Sequence, residues 1–134
     1  MENIIIYTNK TCPYCQAIKD ELTKENIEFN ERVTIEWLSN WNEVVSLTGL
    51  PSVPTIIYKD EYFVPGRDFR SAPHLIEILK TFENYKHDNS IELISQKLKT
   101  LNFNTQQAFG KLDYLLKQIE NKLNIQDNEH KSTN

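Results

Sequence analysis

Apolar residues along the first 83 positions follow two spacings in turn, and the alternation predicts strands separated by helices. The run "IIIYT" at residues 4–8 is continuous and apolar, as in strands that are buried on both faces. Helical spacing follows over residues 13–26, a second strand pattern covers residues 27–33, and helical spacing returns from Trp37 until Gly49, a typical stop residue. This part of the chain therefore predicts two strand–helix units.

Residues 54–66 predict a hairpin, and one more helix follows it. Their sequence, "PTIIYKDEYFVPG", has two short strand patterns on either side of the turn Lys59-Asp60-Glu61. Pro73 suits the first turn of a helix, whose apolar side is formed by Leu75, Ile76, Ile78 and Leu79. The order β-α-β-α-β-β-α predicts an α/β fold with a four-stranded mixed sheet, in which the hairpin supplies an antiparallel edge.

The pattern changes after residue 83, so we expect one domain over residues 1–83 and a helical extension over residues 84–134. The extension opens with a polar connector, "NYKHDNS". Apolar spacings of 3 and 4 then predict a helical hairpin, with helices at about 90–101 and 105–124 and a polar tail. The two stripes consist of Ile91, Ile94, Leu98 and Leu101, and of Phe109, Leu112, Leu116, Ile119 and Leu123.

Two helices alone bury too little apolar surface to be stable, so the stripes need a third surface. That surface is the first domain, a second copy of the chain, or another protein. The first alternative makes residues 84–134 a packing layer without activity, and the others make them an interaction site that forms a homodimer or binds a protein partner.

Composition and charge narrow the class of protein. The chain has 134 residues, 39% of them hydrophobic and 25% charged, which is typical of a soluble globular protein. No apolar run reaches the roughly 20 residues that span a membrane, and residues 4–7 are too few for a signal peptide core. The net charge of −4 offers no basic stripe for phosphates, and the acidity lies in residues 1–83, with 13 acidic and 8 basic residues. We therefore expect a cytoplasmic protein that binds neither nucleic acid nor membrane.

Both cysteines lie in "TCPYC" at residues 11–15, just after the first strand and at the start of a helix. Zinc would need two more ligands, and His74, His87 and His130 are scattered, so no metal site is expected. A structural disulfide would close too short a loop to stabilise much. Unsatisfied N–H groups and the helix dipole favour a thiolate at Cys12, which predicts that Cys12 attacks a disulfide and Cys15 resolves the intermediate.

Three stretches together resemble the glutaredoxin family: "YTNKTCPYC", then "SVPT" at residues 52–55, then "VPGRDF". The resemblance covers residues 1 to about 83. It implies a thioredoxin-like fold and a disulfide oxidoreductase that uses glutathione as a co-substrate and holds no bound cofactor. It also implies a cis Pro54 that leaves the backbone of Val53 free to pair with a peptide such as glutathione.

The same resemblance implies that Gly66 and Asp68 hold the γ-glutamyl end of glutathione. This chain departs from the family pattern at Pro65 and Phe69, and its basic residue, Lys10, stands two positions before Cys12 rather than three or four. The departures leave open a glutathione-independent redoxin that reduces ribonucleotide reductase and takes electrons from thioredoxin reductase.

Other residues allow two interpretations each. Tyr14 stacks on a substrate peptide or is an exposed loop residue, and Arg67 meets a substrate carboxylate or balances an acidic domain. Trp37 and Trp41, one helical turn apart, are expected in the core rather than in a partner-binding ridge. Two functions are therefore compatible with the sequence: a dithiol glutaredoxin, or an assembly protein docked by its C-terminal helices.

Overall fold

The computed structural model describes residues 3–82 and 89–132, and a four-stranded mixed sheet lies at the centre of the first range. Its strands are β1 (Ile4–Thr8), β2 (Phe29–Val33), β3 (Thr55–Tyr58) and β4 (Glu61–Phe63), arranged in the order β2-β1-β3-β4. Strand β2 runs parallel to β1, and β3 is antiparallel to both β1 and β4. The predicted mixed sheet is confirmed.

Helices cover both faces of the sheet, which explains why β1 is apolar at consecutive positions. Helices α1 (Pro13–Lys24) and α3 (Ala72–Thr81) pack on the face that carries Ile4 and Ile6. Helix α2 (Leu38–Thr48) packs on the other face through Trp41 and Val44, which contact Tyr7. Neighbouring residues of a strand point to opposite faces, so each of the four residues 4–7 of β1 packs into a core on one face or the other.

Several details differ from the sequence-based expectations. Only Lys59 and Asp60 form the hairpin turn, with φ of 50° and 61°, and Glu61 already belongs to β4. Two residues with positive φ match the right-handed twist of the strands they connect. Trp41 is 9% exposed, as expected of a core residue, but Trp37 is 42% exposed and lies under the guanidinium of Arg32, 4.4 Å from the ring centroid.

The predicted C-terminal helical hairpin is wrong, because residues 89–132 form one continuous helix, α4 (Asn89–Ser132). Residues 102–104 contain neither glycine nor proline, and a spacing of four through Thr105 keeps both apolar stripes on one face of a helix. The predicted polar tail is helical as far as Ser132, and residues 84–88 of the connector lie outside the described ranges.

The chain divides into two compact units, one ending at Thr100 and the other beginning at Leu101. The first unit includes the opening turns of α4, where Gln96 is fully buried and Thr100 is 7% exposed. In the second unit, every member of the predicted stripe from Phe109 to Leu123 is more than half exposed, at 54–67%. Across the described ranges, no helix is long and apolar enough to cross a membrane.

Candidate active site

The candidate site lies at the end of the sheet where strand β1 ends and strand β3 begins. Tyr7 of β1 pairs with Thr55 of β3, so the loop after β1 and the loop before β3 leave the sheet side by side. The first loop leads to Cys12, and the second contains Pro54, whose bond to Val53 is cis. The predicted cis bond before Pro54 is confirmed, and the pairing of β1 with β3 brings Pro54 to the same end of the sheet as the cysteines.

The cysteine pair occupies the first turn of α1. Cys12 and Cys15 are bonded to each other as a disulfide, with their Cα atoms 5.2 Å apart. Cys12 is the N-cap residue of α1, and its Sγ accepts a hydrogen bond from the Cys15 N–H at 3.0 Å. Cys12 is partly exposed, whereas Cys15 is 1% exposed. An incoming thiol or disulfide therefore reaches the Cys12 sulfur first.

A cleft of about 430 Å³ opens beside the cysteines, and it is lined by residues of α1, of β2 and of the loop between β1 and α1. Its charged side chains are Lys10, Lys19 and Glu31. The Lys10 ammonium is exposed and lies 3.4 Å from the Glu36 carboxylate, so it remains accessible to an anion. The structure thus places Lys10 in the same cleft as Cys12 and Cys15.

Glu31 anchors the β2 side of this cleft, which the sequence did not single out. Its Oε1 accepts hydrogen bonds from the Thr8 hydroxyl at 2.7 Å and from the Lys19 ammonium at 3.0 Å. The Thr8 hydrogen bond and the Lys19 charge hold the pKa of Glu31 below its usual value, although partial burial opposes them. The folded protein therefore favours the ionised carboxylate.

Replacing Glu31 by glutamine should destabilise the protein at neutral pH but not in acid. A depressed carboxyl pKa contributes stability above the pKa of the unfolded chain, and this stability is lost as the pH falls through the folded-state value. We expect a loss of about 1 kcal/mol or less at pH 7, because Glu31 is partly exposed to water. Urea titrations of both proteins between pH 7 and pH 3 measure it, and a difference that persists at pH 3 would contradict the assignment.

Tyr14, between the two cysteines, is not the exposed loop residue of one interpretation. It lies in α1, and its ring packs against Phe69 with the centroids 6.2 Å apart. Burial raises the pKa of the Tyr14 phenol, and its hydroxyl has no hydrogen-bond partner within the described residues. Because Phe69 follows Asp68 directly, this contact joins the cysteine helix to the segment expected to bind glutathione.

That segment, Val64–Phe69, is a closed loop, hereafter the Asp68 loop. Gly66 has φ of 82°, and its N–H donates to the Phe69 carbonyl at 2.9 Å. The Asp68 N–H donates to the Val64 carbonyl at 2.9 Å, and the Asp68 Oδ2 accepts from the Val64 N–H at 2.7 Å. The left-handed backbone at residue 66 explains why glycine stands there.

Arg67 has different partners from those expected, because its side chain is only 2% exposed. Its guanidinium donates to the Asp68 Oδ2 at 2.9 Å from Nε and 2.6 Å from Nη2, and to the Tyr62 carbonyl at 3.1 Å. Helix α4 supplies two further acceptors, Gln96 Oε1 at 2.7 Å and Thr100 Oγ1 at 3.2 Å. The sequence did not single out Gln96 or Thr100; their spacing of four residues puts them on one helix face but does not indicate that this face is buried.

No metal centre accompanies these residues in the part of the chain that the structure describes. Within it, no three histidine, cysteine, aspartate or glutamate side chains are grouped so that they could hold an ion.

The first part of this chain is similar in sequence to glutaredoxins. The glutaredoxin family model matches residues 4–63. Glutaredoxin 3 of Escherichia coli is 32% identical over 68 residues, which make up 51% of this chain and 81% of that protein, and its counterparts in two further strains give the same values. Among solved structures, a glutaredoxin from Archaeoglobus fulgidus matches with a TM-score of 0.48 and 22% identity, over 57% of this chain and 85% of that one.

Proposed function

Because the chain belongs to the glutaredoxin family and is a thiol–disulfide oxidoreductase with a disulfide-forming cysteine pair, we propose that it is a dithiol glutaredoxin whose co-substrate is glutathione. The observation that carries the proposal is the asymmetry of the pair. Cys12 is accessible and its sulfur accepts a backbone N–H, whereas Cys15 is buried one turn behind it.

The proposed reaction moves two electrons from the dithiol to a substrate disulfide. The Cys12 thiolate attacks one substrate sulfur, a mixed disulfide forms, and the other substrate sulfur leaves as a thiolate. The Cys15 thiolate then attacks the Cys12 sulfur, which releases the reduced substrate and forms the Cys12–Cys15 disulfide. Two molecules of glutathione return the pair to the dithiol by the same exchange and leave as oxidised glutathione.

The reduced protein should contain an acidic Cys12 thiol. The Cys15 N–H that points at the Cys12 Sγ, together with the positive end of the α1 dipole, stabilises a thiolate there. We therefore expect the pKa of Cys12 in the reduced protein to lie below that of a free cysteine, which is about 8.5. Thiolate absorbance followed against pH measures it, with Cys12→Ser as the blank, and a midpoint at the value of a free cysteine would contradict the proposed nucleophile.

We propose that glutathione binds between the Asp68 loop and the loop that contains Val53 and Pro54, a region hereafter called the groove. The backbone of Val53, positioned by Pro54, pairs with the peptide, while Gly66 and Asp68 receive its γ-glutamyl end. Lys10 attracts a carboxylate of the tripeptide, and Tyr14 forms the wall beside the cysteines. The Tyr14–Phe69 contact supports this arrangement because it joins the helix of the cysteines to the Asp68 loop. Arg67 acts in this groove through Asp68 rather than by touching glutathione.

An Asp68→Asn variant tests the glutathione assignment. Asparagine keeps the shape of the side chain but removes the charge that would attract the γ-glutamyl ammonium, so KM for glutathione should rise about tenfold, while kcat stays within a factor of two. Turnover is measured with glutathione and glutathione reductase, and in parallel with thioredoxin reductase. Unchanged glutathione kinetics would reject the groove.

One observation favours a second candidate, a redoxin that takes electrons from thioredoxin reductase and reduces ribonucleotide reductase. The Asp68 carboxylate is already engaged by Arg67 and by the Val64 N–H, which competes with the γ-glutamyl ammonium. Activity with thioredoxin reductase but none with glutathione would favour this candidate. Either reaction requires reduced thiols, so we propose a cytoplasmic location, with neither nucleic acid nor membrane as a partner.

For residues 84–134 we propose association with further copies of this chain. In the second unit, the apolar stripe of Phe109, Leu112, Leu116, Ile119 and Leu123 has the spacing of a coiled coil. Asp113 and Glu120 border it on one side, and Leu115 and Lys122 border it on the other. In an antiparallel pair, the acidic side of one helix would face the acidic side of the other helix, and the like charges would repel. In a parallel pair, the acidic side of one helix faces the side of the other helix that carries Leu115 and Lys122. We therefore propose a parallel coiled coil of two or more chains.

A further inference from the structure

The opening turns of α4 carry a buried polar face. Gln96 is fully buried and Thr100 is 7% exposed, and residues four apart lie on the same face of a helix. Gln96 Oε1 and Thr100 Oγ1 both accept hydrogen bonds from the Arg67 guanidinium, at 2.7 Å and 3.2 Å. The helix therefore binds one arginine with two side chains from successive turns.

These two side chains are themselves anchored away from Arg67. The Gln96 amide donates to Glu92 Oε1 at 2.7 Å and also to the carboxylate of Glu61 in β4. The Thr100 hydroxyl donates to the Thr48 carbonyl at the end of α2. The other hydrogen bonds of Gln96 and Thr100 are made to β4, α2 and α4 itself, so the positions of both side chains are fixed. These two acceptors therefore determine where the Arg67 guanidinium lies.

Arg67 in turn fixes the carboxylate of Asp68. Its Nε and Nη2 lie 2.9 Å and 2.6 Å from the Asp68 Oδ2, the atom that also accepts the Val64 N–H. A guanidinium that is 2% exposed cannot replace lost acceptors with water unless it moves. Loss of Gln96 or Thr100 would therefore draw Arg67 outward and release the Asp68 loop.

We propose that Gln96 and Thr100 of α4 are positioning residues that hold the Asp68 loop through Arg67 and thereby set the affinity of the site for glutathione. The proposal rests on the proposed function at one point, the assignment of Asp68 to the γ-glutamyl end. In this proposal, a helix outside residues 4–63, the range that the family model matches, fixes the conformation of the Asp68 loop.

The test uses full-length protein and matched substitutions. Thr100→Val keeps the volume of the side chain but removes the hydroxyl, Thr100→Ser keeps the hydroxyl, and Gln96→Met removes the amide at similar size. Amide hydrogen exchange of Val64 and Asp68 reports the loop without any substrate, and Ile56 in the central sheet reports global opening. Glutathione kinetics, with KM and kcat measured separately, report the function.

In Thr100→Val and Gln96→Met we expect Val64 and Asp68 to exchange about tenfold faster than in the parent, with a smaller change at Ile56. KM for glutathione should rise about three- to tenfold at constant kcat. Thr100→Ser should keep the exchange rates and the KM of the parent. Unchanged exchange at Val64 and Asp68, or equal acceleration at Ile56, would overturn the proposal.

The kinetics then separate this proposal from the glutathione assignment. If the loop is released but KM stays constant, while Asp68→Asn raises it, the positioning role is overturned. If Asp68→Asn itself leaves KM unchanged, the glutathione assignment fails, and the exchange data still decide whether α4 holds the loop.

Discussion

Replacing Cys12 by serine should abolish disulfide reduction, with a loss of roughly a thousandfold or more, because the other cysteine of the pair is buried and cannot make the first attack on a substrate disulfide. The buried Cys15, 1% exposed, is shielded from a protein or glutathione disulfide. Cys15→Ser should behave differently. It should lose the reduction of protein disulfides yet retain turnover of glutathione mixed disulfides, in which a second glutathione can resolve the Cys12 intermediate.

Two assays with the same enzyme preparations separate these roles. One follows a glutathione mixed disulfide with glutathione reductase, and the other follows a protein disulfide. A Thr11→Ser variant serves as the matched control, since it changes a side chain next to Cys12 without touching either thiol. Activity retained by Cys12→Ser and lost by Cys15→Ser would reverse the assignment of nucleophile and resolving cysteine.

Replacing Leu116 by lysine should convert an associated protein into a monomer. Leu116 lies in the middle of the exposed stripe of the second unit and is 58% exposed in the single chain. In a coiled coil, a lysine at this position would bury an unpaired charge in every chain, at a cost of several kcal/mol per ion. Light scattering of the parent should therefore give the mass of two or more chains, and that of Leu116→Lys the mass of one.

Asn121→Lys is the control for added charge. Asn121 lies on the same helix but away from the stripe, so this variant should keep the mass of the parent. Helix content should fall only in Leu116→Lys, because a helix without a partner is marginal in water. A parent chain that stays monomeric, or a Leu116→Lys variant that still associates, would show that the stripe is not the contact surface.

The sequence by itself determined the central part of this protein, because the relevant signals are local. Four consecutive apolar residues, Ile4 to Tyr7, are enough to predict a strand covered on both faces, and β1 is such a strand. A proline after the first cysteine and apolar residues at helical spacing place the pair at the start of α1. The motif around Cys12 and the valine–proline pair at residues 53–54 identified the family, since motifs depend on residue type and spacing alone.

Exposure of individual side chains was decided only by the tertiary structure. Trp37 and Trp41 are four positions apart, which is a helical spacing, yet Trp37 is 42% exposed and Trp41 is 9% exposed. Trp37 precedes the first residue of α2 and lies against Arg32, while Trp41 faces Tyr7 of the sheet. Helical spacing indicates a common face, but the strand beneath that face decides how far it is covered.

The tertiary structure also decided the role of α4, which the sequence had divided into two helices. The Asn-Phe-Asn stretch at positions 102–104 suggested a loop, although none of these residues breaks a helix, and α4 continues through them. A substrate carboxylate was one predicted partner of Arg67, because the sequence gives the charge of this residue but not its neighbours in the fold. Its buried bonds to Gln96 and Thr100 join residues 29 and 33 positions apart. Contacts at such separations depend on how elements dock, which local spacing does not encode.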